Sequence, residues 1–348
     1  MTPTTAGSPG DLLAVVSQTG STVTFFDAAT HERRDVLQLP PQPHELCFNP
    51  DRRLLYCAST YTSGFYHANE GRSHEITVID VDTRTIVDTL TTAPDHAPHG
   101  LALDRARARL YVSVEATETE PGGVVIIDTR THERLGRIPT MAPGPHWFII
   151  SPDGHRGYTT NKEAPFVSVV DLDRGVFAGR IDVPGSEGLD ISHDGRHLYV
   201  ATPKADFNGP PAEQPGVQVI DTSTGKAVRT LTTREQVMPV HVTATGAVLA
   251  GELRTGTAQG GPLGSQLPGA LTVFAPGTLA RVGEVQVGRF PLTITSSPDG
   301  RLGYVSGVVS NTVTVVDLEN LQPIATLDVD RDDNSGAHGL AYIKAPRD

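Results

Sequence analysis

The chain repeats itself, and the repeat is the strongest constraint on what it can become. A β-branched, alternating run closing on aspartate occurs at residues 22–27 (TVTFFD), 76–80 (ITVID), 124–128 (VVIID), 167–171 (VSVVD), 217–221 (VQVID) and 313–317 (VTVVD). A seventh copy, 271–275 (LTVFA), ends without the acid. Such runs read as strands, and the Asp followed by small polar residues reads as the turn that leaves each strand. Before most of them stands a second pattern: an apolar alternating run, a Ser-Pro-Asp-Gly type turn, and a run opening Leu-Tyr-Val or Gly-Tyr. It appears as HELCFNPDRRLLYCAS, HGLALDRARARLYVSV, HWFIISPDGHRGYTTN, EGLDISHDGRHLYVAT and LTITSSPDGRLGYVSG. Asp-Gly between two strand-like runs is a strong hairpin signal. A fourth apolar segment follows each Asp-ended run (TIVDTLTT, ERLGRIPT, VFAGRIDV, AVRTLTT, PIATLDV), and no helical periodicity interrupts the series.

Seven four-stranded units spaced by roughly 42 to 55 residues predict an all-β, seven-bladed propeller, an architecture that solves the edge-strand problem by radial repetition. The first repeat begins at a second strand (DLLAVVSQTG), whereas the last residues supply a lone first strand, AHGLAYIK. The two are expected to share one blade and tie the ring shut. Residues 1–348 are therefore read as one domain, with 1–10 a flexible lead-in. The repeats resemble the YVTN-type seven-bladed β-propeller family, whose unit reads Pro-x-Gly-hydrophobic, Ser-Pro-Asp-Gly, Leu-Tyr-Val, then Val-x-Val-Ile-Asp. The resemblance runs from about Asp11 onward and implies the fold. For function it implies a range, because such propellers host lactonases, lyases, oxidoreductase subunits and binding modules.

Charge narrows the partners. With 28 Lys and Arg against 40 Asp and Glu the net charge is −12, which disfavours nucleic acid and anionic membranes and leaves small molecules. No apolar stretch of membrane-spanning length occurs, and the first residues lack a signal-peptide pattern, so a cytoplasmic chain is expected. Cys47 and Cys57 are too few for a disulfide framework and are read as free thiols on one hairpin. Walker loops, Gly-x-Ser-x-Gly elbows, dinucleotide fingerprints and Cys-x-x-Cys pairs are all absent from the sequence.

Aligning the units on the Tyr of the second strand exposes one informative column. Twelve residues before Tyr56, Tyr111, Tyr158, Tyr199 and Tyr304 stand His44, His99, His146, Glu187 and Leu292; context adds His241 (MPVHVTA) and His338 (GAHGLAY). Each begins the strand nearest the axis, so the ring would gather five imidazoles at one mouth of the central channel. Glu115 and Glu252, at the ends of second strands, would reach the same level. Imidazole suits Fe, Cu or Zn better than Ca or Mg, and a carboxylate beside a ligating His is its usual orienter. Four His with Glu partners on a seven-bladed propeller also resembles the non-heme-iron carotenoid cleavage oxygenases in site geometry, and nitrous oxide reductase holds copper in a His-ringed propeller.

The expectation is a metal-dependent enzyme, Fe or Cu before Zn or Mn. His44, His99, His146, His241 and His338 would be ligands, Glu187, Glu115 and Glu252 would orient them or move protons, and the chemistry would be oxidative on a small organic substrate. Two alternatives stand beside it: a metal-assisted lyase, lactonase or cyclase using Glu or His as acid and base, and a non-enzymatic binding scaffold. Long connections at 60–73, 115–123, 203–216 and 254–269 would cover the same mouth. They nominate Tyr66 and His67 as substrate contacts, together with Trp147, Lys162, Arg254 and Arg289. The recurring aspartates Asp27, Asp80, Asp128, Asp171, Asp221 and Asp317 are read as turn formers.

Overall fold

The alternating runs form 28 strands in seven antiparallel four-stranded sheets, in a computed structural model that describes residues 10–64, 68–204, 213–256, 263–329 and 336–346. The innermost strands are Pro43–Asn49, Leu101–Asp104, Pro145–Ile150, Leu189–Ile191, Val237–Val242, Pro291–Ser296 and Ala337–Ile343. They number the blades one to seven in that order, and each packs beside the next, with blade six against blade seven and blade seven against blade one. The sheet of blade seven runs Ala337–Ile343, Leu12–Ser17, Thr22–Asp27, Arg33–Gln38, so the two ends of the chain close the ring as expected.

Burial follows from the radial arrangement. Second and third strands are buried on both faces, as in Leu54–Ser59, whereas the outermost strands, such as Thr85–Thr91, are mostly exposed. The apolar side chains divide into a series of cores, each between two neighbouring blades. Leu13, Val15 and Phe26 meet Leu302, Tyr304 and Val313 between blades seven and six, and Tyr199 and Val217 meet Val240 and Phe274 between blades four and five. At about 25 cal/mol per Å² of apolar surface, these interfaces carry the hydrophobic stabilisation.

The aspartates close turns, as expected. Asp27, Asp80, Asp128, Asp171, Asp221 and Asp317 each accept, through Oδ1, the backbone N–H groups two and three residues on. At the opposite hairpins Gly154, Gly195 and Gly300 take φ near +70°, which is why the Asp-Gly turn needs glycine there. Cys47 and Cys57 are free, and burial pushes both thiols up to about 12.

Candidate functional site

Four successive blades, seven, one, two and three, deliver His338, His44, His99 and His146 to one mouth of the channel, all at most 8% exposed. The positioning is done by backbone. Gly100 N–H donates to the His146 carbonyl (3.2 Å), the Ser113 hydroxyl donates to that same carbonyl (2.5 Å), and His99 N–H donates to Ser113 O (2.9 Å). Neighbouring inner strands are thereby brought together, and the rings follow. Centroids lie 3.8 Å apart for His338 and His44, 4.5 Å for His44 and His99, and 4.0 Å for His99 and His146. The Nε2 atoms of His44 and His99 are 3.0 Å apart. Blade four contributes Glu187, whose Oε2 is 3.7 Å from His146 Nδ1. On the other flank Glu45 Oε1 lies 3.5 Å from His338 Nδ1.

Burial sets the charge of this group. It holds His44, His99 and His146 well below the usual imidazole range, reinforced by mutual repulsion and by Lys162, and lowers His338 to about 3. All four rings are therefore neutral at pH 7. Burial pushes the Glu45 carboxyl up to about 8, so it is a protonated acid there. A charged relay stands beside the rings: Lys162 Nζ donates to Glu115 Oε1 and to the Tyr61 hydroxyl (both 3.1 Å), Tyr61 donates to Glu115 (2.9 Å), and Arg72 pairs with its other oxygen (3.0 Å). Burial would raise the Glu115 carboxyl, but Lys162, Tyr61 and Arg72 outweigh it and hold it low. Burial lowers Lys162, with Glu115 opposing that shift.

The remaining arc of the mouth is apolar. Blades five and six place Met238 and Leu292 where the others place His or Glu, and these join Phe290, Val308, Leu253 and the partly buried Leu263 in one cluster. The pocket is thus two-sided, with imidazoles, Lys162, Lys204 and Glu187 facing Met238, Leu263, Phe290 and Leu292 across about 660 Å³ of empty space. Trp147, expected as a substrate contact, lies against His146 (4.0 Å) and His99 (5.8 Å) and lines the axial channel rather than the two-sided pocket.

Several sequence expectations are corrected here. His241 does not join the cluster. Its pairing with Leu249, against Ile149 with Tyr158 and Cys47 with Tyr56, shows a blade-five hairpin one residue shorter, which slips the column to Met238. Gly188 confirms the position, donating to Met238 O as Gly100 does to His146 O. Glu252 is fully buried but anchors a loop, accepting Arg234 N–H and Glu235 N–H (3.0 Å each) and the Thr272 hydroxyl. Arg254 faces Glu284 (3.6 Å) and Arg289 turns to the Val309 carbonyl, both away from the pocket. Glu115 stands behind Lys162 rather than on the pocket wall. Tyr66 and His67 lie outside the described residues. Sequence reasoning missed Tyr61, Glu45, Met238 and Lys204; for Glu45 the signal was present, since PHEL carries Glu where PHGL and AHGL carry Gly.

Among the described residues no three His, Cys, Asp or Glu side chains are grouped as they would be around a metal ion. The imidazoles lie ring against ring rather than around a common centre.

No protein-family model matches the chain. It is similar to the uncharacterized protein YncE of Salmonella typhimurium and to that of Salmonella typhi, each 28% identical over 233 residues that make up 66% of this chain and 62% of the relative. The chain thus spans less than two thirds of the length of these curated relatives. Among solved structures, hydrazine synthase of Kuenenia stuttgartiensis matches with a TM-score of 0.65 and 19% identity, over 80% of this chain and 77% of that one. The dihydro-heme d1 dehydrogenase NirN in complex with DHE matches with a TM-score of 0.61 and 16% identity, over 94% and 65%. The likeness to both is one of fold alone: the chain is a seven-bladed β-propeller.

Proposed function

We propose that the chain is an enzyme that takes a small organic molecule into the two-sided mouth and works on it with a transition-metal ion, Fe or Cu, held by His44, His99, His146 and His338. The observation that carries this reading is the meeting of four neutral imidazoles from four successive blades in one buried pocket, each with an Nδ1 atom that has no hydrogen-bond partner. Neutral imidazole is the ligating form, and the Glu187 and Glu45 carboxyl groups near Nδ1 of His146 and His338 are where orienting groups belong. His44 and His99, whose Nε2 atoms now share a 3.0 Å hydrogen bond, would present those atoms to the ion. Full ligation requires the other rings to turn out of their stack.

A bound Fe or Cu ion would supply one-electron or Lewis-acid chemistry. The chain's own residues do the rest. Met238, Leu263, Phe290 and Leu292 hold an apolar substrate body and exclude water, while Lys162, its charge balanced by Glu115, offers an ammonium N–H donor to a polar head. The same Lys162 donor favours a second reading, a lyase or cyclase in which Glu187 or an imidazole removes a proton without a redox ion.

The test is reconstitution. Chelator-treated protein is desalted after exposure to Fe(II) under anaerobic conditions, or to Cu(II), Zn(II) or Mn(II), and metal per chain is measured. About one equivalent of Fe or Cu is expected, abolished by the pair His99→Ala and His146→Ala with the circular dichroism spectrum retained. Failure of every ion to bind would overturn the metal reading and leave the acid–base one, whose signature is turnover lost in Glu187→Gln and Lys162→Met.

A further inference from the structure

The residue that slipped out of the histidine column falls into another constellation. His241 of blade five has Nε2 2.9 Å from the Ser296 hydroxyl of blade six. Its other ring nitrogen, Nδ1, is 3.3 Å from Asp190 Oδ2 of blade four. Asp190 is itself fixed, because Oδ2 accepts the Val242 N–H at 2.7 Å. The serine hydroxyl is hydrogen-bonded to one imidazole nitrogen, and the carboxylate stands beside the other at ion-pair distance, where a small turn of the ring would complete the arrangement that activates a nucleophile.

Access is present. The His241 and Asp190 side chains are 23% and 24% exposed, and Ser296 is half-buried. Asp190 and His241 line the axial channel, and Ser296 of the neighbouring blade stands against the His241 ring. The channel holds about 730 Å³ of empty space and is walled by Leu101, Phe148, Leu189, Ile294 and Leu340. Thr293, whose hydroxyl is buried and has no hydrogen-bond partner, lines it as well.

We infer that Ser296, His241 and Asp190 form a second catalytic site, an acyl-transfer centre that cleaves carboxylic esters with a small apolar acyl group. In the step, Ser296 Oγ bonds to the ester carbonyl carbon as His241 Nε2 takes the hydroxyl proton. The carbon–alkoxy bond then breaks, and the leaving alcohol takes that proton. Water, deprotonated by His241, releases the carboxylic acid from Ser296 and restores the hydroxyl. Asp190 is a positioning residue that keeps Nδ1 protonated and Nε2 free to accept. The inference stands apart from the metal reading, since none of the proposed metal ligands His44, His99, His146 and His338 lines this channel.

The experiment treats the full chain with a fluorophosphonate that labels activated serines, maps the adduct by mass spectrometry, and follows 4-nitrophenyl butyrate hydrolysis in parallel. Labelling at Ser296 is expected, absent in Ser296→Ala and slowed about a hundredfold or more in His241→Ala, the scale of a lost general base. Asp190→Asn should slow ester cleavage in kcat with KM little changed, which an interblade clamp would not do. His146→Ala and chelation should leave labelling intact. An unlabelled Ser296 in folded native protein would overturn the inference, as would labelling that His241→Ala does not slow.

Discussion

Glu252 shows how a buried carboxylate can be structural. It has zero exposure and three donors, two of them consecutive backbone N–H groups, so its work is to hold the segment around Arg234 against the end of a second strand. Glu252→Gln replaces a charge-assisted acceptor and strands one of these donors, at a cost of about 2 kcal/mol in urea unfolding, while metal uptake at the histidines is unchanged. The imidazoles and Glu45 make an opposite pair of pH effects. His338, at about 3 folded and near 6.5 unfolded, and its three depressed neighbours bind fewer protons in the native state, so stability is lost as pH falls below about 6.5. Glu45, at about 8 folded against 4.5 unfolded, keeps its proton in the native state, so its contribution is lost as pH rises from about 4.5 through 8. Thermal melts of the metal-free chain should therefore show a midpoint highest near neutrality. Glu45→Gln should raise the midpoint most at about pH 9, less at about pH 6, and leave it nearly unchanged at about pH 4; an unchanged midpoint at pH 9 would contradict the buried acid.

The inner strands explain why Pro-His-Gly recurs in some blades and fails in others. A side chain at Gly100 would lie 2.6 Å from the His146 carbonyl, at Gly188 2.5 Å from Met238 O, and at Gly339 2.4 Å from His44 O. Blades two, four and seven therefore carry glycine after the column residue, whereas blades one, three and five carry Glu45, Trp147 and Pro239 at the same place. Alternation of small and large lets neighbouring backbones touch and stacks the rings. Gly100→Ala should part the strands of blades two and three, costing about 2 kcal/mol or more and weakening metal uptake in proportion. A variant of native stability and native uptake would show that this contact does not position His99 and His146.

Seven is odd, so the alternation cannot close, and blades five and six both lack the glycine. That is also where the column turns to Met238 and Leu292, giving the mouth its apolar side. Ring closure rests on the antiparallel pairing of Ala337–Ile343 with Leu12–Ser17 and on the cores to either side. Deleting residues 336–348 should remove His338, expose the edge of Leu12–Ser17 and yield a chain that self-associates or melts non-cooperatively by circular dichroism. Joining the original ends and opening the chain at the Gly154 turn instead should preserve the fold and the histidine cluster, because that hairpin bears no part of either.

The repeat alone determined the blade count, the four-strand unit, the shared closing blade and the turn role of the aspartates, because each depends on period and local turn chemistry. It also located His44, His99, His146 and Glu187, where an unbroken twelve-residue spacing kept register, and His338 by its Ala-His-Gly context. What tertiary structure decided was everything that crosses blades. A blade-five hairpin one residue shorter puts Met238 at the column position, and His241, three residues further along the strand, meets Ser296 and Asp190 instead. Lys162 reaches Glu115 and Tyr61 across 47 and 101 residues of chain, and no local pattern encodes such a meeting. Period fixes which residues repeat, whereas contact across the axis depends on the register of all seven strands at once.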